Sequence, residues 1–246
     1  MRNKKSISKP ILEKITITIV VIILVCLAIW FGIRFLISRP YFRVTRILTN
    51  YDLDLGELDE LKGANIFNIN LKRIQDKIAA RDPYIRSVYV TKRLPNEIYI
   101  RIEKRVPQAR IDLGRIFLVD QAGFLVYSKN AELEEKLPLI TGLRYRIPYP
   151  LSGRAYNIAE LKLALSLIKE FGQTNLSRRC KIDQLDVSSI TNTSFFLENG
   201  PQIKIGDSLI KERIQMLEAF LKHFNWDLSK IAYIDLRFKE PAVKQK

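Results

Sequence analysis

The sequence predicts an α+β protein in which one apolar helix is followed by two small mixed domains. Three observations lead there. A run of nineteen residues without a charge lies near the N-terminus. Beyond it, residues 42–103 read in the order β-α-α-β-β. The rest alternates short strand candidates with two helical faces, joined by turn residues. A chain of 246 residues has room for two modest domains.

The uncharged run is Ile15–Ile33, and thirteen of its residues are Ile, Val, Leu or Phe. As a helix it spans about 28 Å, close to a bilayer core. Lipid offers the backbone no other hydrogen-bond partner, so the β-branched content does not prevent the helix. Trp30 and Phe31 lie where an interfacial aromatic belt belongs. A cleaved signal peptide fits less well: its apolar core is about 7–15 residues, and Arg34-Phe35-Leu36-Ile37-Ser38-Arg39-Pro40 contains no small-x-small pair. The expected organisation is a cytoplasmic tail at 1–14 and a membrane helix at 15–37. Arg2, Lys4, Lys5, Lys9 and Lys14 precede the run, while Arg34, Arg39, Arg43 and Arg46 follow it, so local charge bias is small. The short N-terminal arm and long downstream part favour an N-terminus inside and the bulk outside. Cys26 falls in the span and Cys180 far beyond it, so they read as two small buried hydrophobes.

Phe42–Leu48 is the first strand candidate. Leu55, Leu58 and Leu61 mark a helix that Lys62-Gly63 stops. Asn70 caps a second helix with Leu71, Ile74 and Ile78 on one face. Asp82-Pro83 ends it, and Ile85–Arg93 is a strand. After the turn Leu94-Pro95-Asn96, Ile98, Ile100 and Ile102 alternate with polar neighbours, as in a half-buried antiparallel strand. In the rest, Ala122-Gly123 supplies a hairpin turn. Leu161, Leu165 and Ile168 form one helical face. Strand candidates follow at Ile182–Val187, Ser194–Glu198 and Gln202–Ile205, with Asn199-Gly200 turning the last two. Asp207 and Ser208 offer N-caps to a helix with the stripe Ile210, Ile214, Leu217, Leu221 and Phe224, which is expected to pack on its own domain. The last strand is expected over Tyr233–Phe238.

Several quoted segments carry a likeness beyond element order: Gly63-Ala64-Asn65-Ile66-Phe67, Asp82-Pro83-Tyr84-Ile85, and Val88 through Pro95. Further on come Glu103-Lys104-Arg105-Val106-Pro107-Gln108-Ala109, Val119-Asp120-Gln121-Ala122-Gly123, Leu137-Pro138 through Gly142, and Asp235-Leu236-Arg237-Phe238. In this order behind one anchor, they resemble the FtsQ/DivIB cell-division family, whose first outer domain is a POTRA domain. The departures are one extra residue between Glu103 and Arg105, and Lys104 where the family has Arg. The short N-terminal arm leans toward the FtsQ branch. The resemblance implies a POTRA domain at 40–109, an FtsQ-type β domain at 110–240 and a tail at 241–246. It also implies a single-pass protein of the bacterial inner membrane at the division septum, which links early division components to late wall synthesis. Implied partners are the small coiled-coil proteins FtsB and FtsL, bound through the C-terminal strand, and other division proteins bound through the POTRA domain. The partner-binding residues it implies are Arg237, Phe238, Lys239, Glu240, Ala242 and Val243. A terminal strand has unpaired edge groups that can accept a partner strand. Phe238 would continue the Ile234–Leu236 alternation, and Arg237 would reach a partner carboxylate. Pro241 removes one donor from such a ladder, and fraying after Phe238 is the alternative.

A membrane-anchored envelope enzyme, or another POTRA-containing assembly or secretion factor, is the competing class. No catalytic set supports an enzyme. His223 is the sole histidine, and no Gly-x-Ser-x-Gly or Gly-rich phosphate loop occurs. Glu132, Glu134 and Glu135 read as a solvated connector rather than a paired-carboxylate site. Neither a metal nor a cofactor is expected. The net charge of +15 raises nucleic acid as a partner, but the anchor argues against it. Residues 1–39 hold seven basic and one acidic residue, while the other 207 hold 34 and 25. The surplus is therefore partly a membrane-flanking feature.

Overall fold

The computed structural model describes residues 9–51, 56–127, 135–223 and 228–246. Helix α1 is Lys9–Ile37. It starts ahead of the uncharged run because Pro10 sits in its first turn, where a missing N–H costs nothing. Its stretch Thr16–Phe35 has a mean hydropathy of 2.9 and no protein covering it. Among the described residues this is the one helix long and apolar enough to cross a membrane. The chain divides into two compact units, one of residues 1–81 and 87–103, the other of residues 82–86 and 104–246.

The first unit holds a three-stranded sheet of β1 (Arg46–Thr49), β2 (Ile85–Arg93) and β3 (Glu97–Lys104) in the order β1-β3-β2. β1 runs parallel to β3 with Ile47 opposite Ile98. Ile98 and Ile100 are wholly buried and Ile102 nearly so, as their alternation predicts. Helix α2, Leu71–Ala79, starts where Asn70 Oδ1 accepts Arg73 N, and it turns Ile74 and Ile78 inward.

Two expected elements in this unit are corrected. The first strand does not begin at Phe42. Pro40–Phe42 is a 3-10 turn, closed by Arg43 N donating to Pro40 O. Val44 then spends its N–H on Ala64 O and its carbonyl on Gly63 N, so the ladder opens only at Arg46. The leucine-spaced helix is a 3-10 helix, Gly56–Leu61. A three-residue repeat places Leu58 and Leu61 on one edge of a threefold helix, and Leu58 is buried there. Leu55 lies outside the described residues.

The second unit is a ten-stranded mixed sheet. Its strands are β4 (Pro107–Asp112), β5 (Ile116–Asp120), β6 (Phe124–Tyr127), β7 (Leu139–Thr141) and β8 (Arg154–Ala155). β9 (Ile182–Asp186), β10 (Ser194–Leu197), β11 (Gln202–Lys204), β12 (Ile231–Asp235) and β13 (Ala242–Gln245) complete it. The order is β13-β12-β11-β10-β9-β7-β4-β5-β6-β8. Helices α3 (Ala159–Gly172) and α4 (Ile210–His223) pack their apolar faces on this sheet. Leu161 and Leu217 are wholly buried, and Phe171 meets Phe195 edge-on at 5.8 Å. The Ile210–Leu221 stripe thus serves its own domain; Phe224 lies outside the described residues. Asn199, at φ 54°, turns β10 into its antiparallel neighbour β11. The residue directly before α4 is Leu209, at φ 52°, rather than Asp207 or Ser208.

The C-terminal strand also needs correction. β12 stops at Asp235, not Phe238, and residues 242–245 are ordered as β13 instead of forming a tail. β13 runs antiparallel to β12, with Val243 opposite Ile234 and Ala242 opposite Asp235.

Candidate partner-docking edge

One end of the ten-stranded sheet is β13, whose outer side faces no other strand among the described residues. The edge of β12, where a partner strand was expected to add, is occupied by the chain itself. The connection between them is built on Asp235. Its Oδ1 accepts Arg237 N at 3.1 Å, which bends the chain out of the ladder two residues on. The Arg237 guanidinium then folds back as a fork, with Nε on Asp235 Oδ1 at 2.9 Å and Nη2 on Oδ2 at 2.6 Å. Nη1 donates to Asn192 Oδ1 at 2.8 Å. Such bidentate pairing is both strong and geometrically selective. The expectation that Arg237 reaches outward to a partner carboxylate meets a simpler outcome, since a carboxylate two residues away holds it.

Phe238 follows this clamp and is 61% exposed. It does not continue the Ile234–Leu236 alternation, because the chain has already left the sheet; Leu236 is wholly buried. Lys239 and Glu240 are exposed on the same connection, and Pro241 leads into β13. In β13, Ala242 is exposed, while Val243 packs against the core. The six residues therefore occupy one corner of the sheet: Arg237 to Glu240 on the turn, Ala242 and Val243 on the open edge. The Asp235–Arg237–Asn192 network was missed from the sequence. The sequence signal was only the proximity of opposite charges at Asp235 and Arg237. Asn192, 45 positions away, gave none.

The Arg237 guanidinium beside Asp235 holds its carboxyl below the usual 3.8, against the opposing effect of burial. A lowered folded-state pKa means stabilisation that is complete above the unfolded value and is lost as pH falls through the folded one. Thermal unfolding of the full chain in detergent, followed from pH 6 to pH 2.5, should lose stability below about pH 3.8 more steeply than the Asp235→Asn variant. Equal acid limbs would remove the clamp from the stability balance.

Burial pushes the Cys180 thiol up, away from the thiolate, with Arg179 opposing. Among the described residues no group of three or more His, Cys, Asp or Glu side chains could hold a metal ion. Glu135 is exposed; Glu132 and Glu134 lie outside the described residues, as does the side chain of His223.

Two family models match the chain. One, described as POTRA domain, FtsQ-type, covers residues 55–105. The other, described as Cell division protein FtsQ/DivIB, C-terminal, covers residues 109–237, more than half of the chain. The chain belongs to the FtsQ/DivIB family of cell-division proteins. Relatives agree at modest identity. The cell division protein FtsQ of Syntrophotalea carbinolica is 24% identical over 214 residues, covering 83% of this chain and 74% of the relative. FtsQ of Rickettsia bellii is 28% identical over 200 residues, 78% and 66% of the two chains. DivIB of Clostridium botulinum is 24% identical over 262 residues, 99% and 93%. The three-stranded unit is thus the POTRA domain, and the ten-stranded sheet carries the FtsQ/DivIB C-terminal domain. The C-terminal family match ends at Arg237, so Phe238 and β13 stand beyond it.

Proposed function

We propose that this chain is a non-catalytic, bitopic scaffold of the bacterial division machinery. α1 anchors it in the inner membrane at the septum, with the N-terminus cytoplasmic and both domains outside. The POTRA domain receives upstream division proteins and is followed by the β domain. That β domain docks FtsB- and FtsL-like coiled-coil proteins and so links early components to late wall synthesis.

The observation that carries this reading is the open edge of β13 beside an exposed Phe238. An unpaired edge supplies backbone donors and acceptors to an added strand. Four residues of ladder make a short platform, so a neighbouring aromatic anchor has to provide much of the affinity. Phe238 is that anchor, and the Arg237–Asp235 fork fixes the turn that presents it. Lys239 and Glu240 form a charged rim that governs rate and salt dependence, while Ala242 and Val243 lie in the accepting strand.

The test is co-purification from detergent-solubilised membranes. Phe238→Asp should cut recovery of FtsB-like partners by at least about 30-fold, the loss of one central aromatic anchor, with the amount of membrane-inserted chain unchanged. Undiminished recovery would remove this corner of the sheet from partner binding.

A further inference from the structure

The end of α1 is fastened directly to the first domain. Asn65 Nδ2 donates to Ile37 O at 2.8 Å, one of the carbonyls that a helix end leaves without an intrahelical partner. The same side chain accepts Phe67 N through Oδ1. Ser38 turns its N–H onto Arg34 O and its hydroxyl onto Phe35 O. Phe42 meets Tyr41 edge-on and Phe67 at a tilt, each at 5.3 Å between centroids. These contacts lie within one compact unit. They hold segment 38–43 and loop 65–68 close to Phe35, where the apolar stretch of α1 ends.

The side chains at this junction suit a bilayer surface. Tyr41 is 66% exposed and Phe67 40%, and aromatic rings of this kind favour the headgroup level. Arg34, Arg39, Arg43 and Arg46 are exposed, and no acidic residue occurs between Glu13 and Asp52. Arg34 lies over Trp30, and Arg39 lies 4.2 Å from the centre of the Phe35 ring. Both guanidinium groups thus rest on aromatic rings at the end of the apolar stretch. Arg46 is paired with Glu97. Among the described residues, Arg39 and Arg43 are in no ion pair.

We propose that this face, with Arg39 and Arg43 as its cations and Tyr41 and Phe67 as its aromatic contacts, docks on anionic phospholipid headgroups. The leaflet is the one at the C-terminal end of α1, and docking would seat the POTRA domain against it. Charge complementarity and continuity with the apolar helix select this occupant. The inference rests on α1 crossing the bilayer, but not on which side the POTRA domain lies.

The test uses the full chain in a neutral detergent, given either phosphatidylglycerol or phosphatidylcholine, with retained lipids counted by native mass spectrometry. The wild-type chain should retain phosphatidylglycerol in preference. The Arg39→Gln/Arg43→Gln double variant should lose that preference by roughly five-fold per arginine, the strength of one basic side chain at an anionic surface. Arg39→Lys/Arg43→Lys should restore it, which separates lost charge from a fold defect. Lys4→Gln/Lys5→Gln, at positions that precede α1 in the sequence, should leave it intact. Equal retention of the two lipids by the wild-type chain overturns the inference alone, as does a preference that follows Lys4 and Lys5. A chain that washes off membranes in alkaline carbonate overturns both the span and this inference.

Discussion

Asp120→Ala is expected to destabilise the C-terminal domain by about 3–5 kcal/mol, the cost of removing one member of a buried ion pair. Asp120 is 7% exposed and serves two structures at once. Its Oδ1 accepts Ala122 N and Phe124 N, both at 2.9 Å, which closes the turn between β5 and β6. Its Oδ2 accepts Arg105 Nη1 at 2.8 Å. Arg105 is itself committed: Nε donates to Pro83 O, its backbone N–H to Tyr84 O, and its guanidinium lies 3.4 Å from the centre of the Phe124 ring. Alanine therefore leaves a mostly buried cation without its counter-charge and two turn N–H groups without an acceptor. The Tm of the full chain in detergent should fall by on the order of 10 °C. Asp120→Asn keeps an acceptor for the turn but not the charge, so its Tm should lie between the two. If alanine matched the wild type within 2 °C or so, a scale at which ordinary surface changes fall, the hub would be decorative.

Gly142→Ala is expected to cost about 3 kcal/mol or more, with two causes acting together. Gly142 sits at φ 89°, where an L side chain is strained by about 1–3 kcal/mol. An added Cβ would also lie 2.3 Å from Ser188 N and 2.6 Å from Ser188 Cα. Those are backbone atoms, so no rotamer change relieves the overlap, and overpacking of this kind costs a further 1–3 kcal/mol or so. The segment cannot simply shift. Thr141 is in parallel register with Asp186 across β7 and β9, and Val187 N donates to Thr141 O. Chemical or thermal unfolding of the full chain would measure the loss. Gly153→Ala is the control: it has a similar φ of 86° but no close backbone neighbour. It should lose only the strain, and equal losses at the two glycines would refute the steric part.

Both predictions concern residues quoted from the sequence as separate short motifs. Arg105 and Asp120 are fifteen positions apart, and nothing in their spacing says that they meet. Where one local preference dominates, the sequence was enough. The Ile98–Ile100–Ile102 alternation, the Asn70 cap, the Asn199-Gly200 hairpin and the apolar face of α4 appear as read, because each depends on neighbours within a few residues. The misreadings share a different cause. Phe42–Leu48 has the composition of a strand, but Val44 finds its backbone partners in the loop at Gly63 and Ala64. The leucine spacing fitted a helix, but the threefold form took it.

The candidate docking corner divides the same way. An Asp-Leu-Arg-Phe segment near the C-terminus pointed to this corner, and the family match reaches only its Arg237. The segment could not show that the chain turns at Asp235, since that turn depends on a carboxylate satisfying both a backbone N–H and a guanidinium. Nor could it show that β13 covers β12.

The sequence by itself determined the apolar helix, the α+β class, the order of most strands and the family, since these depend on hydrophobic period, length and turn chemistry along the chain. Only the tertiary structure decided which strand forms the open edge, which carboxylate holds Arg237 and where Asn65 fastens α1. Those outcomes follow from backbone groups and charges competing for partners in three dimensions, near in sequence for Asp235 and β13 and tens of residues away for Asn65 and Asn192, and one-dimensional pattern carries no record of that competition.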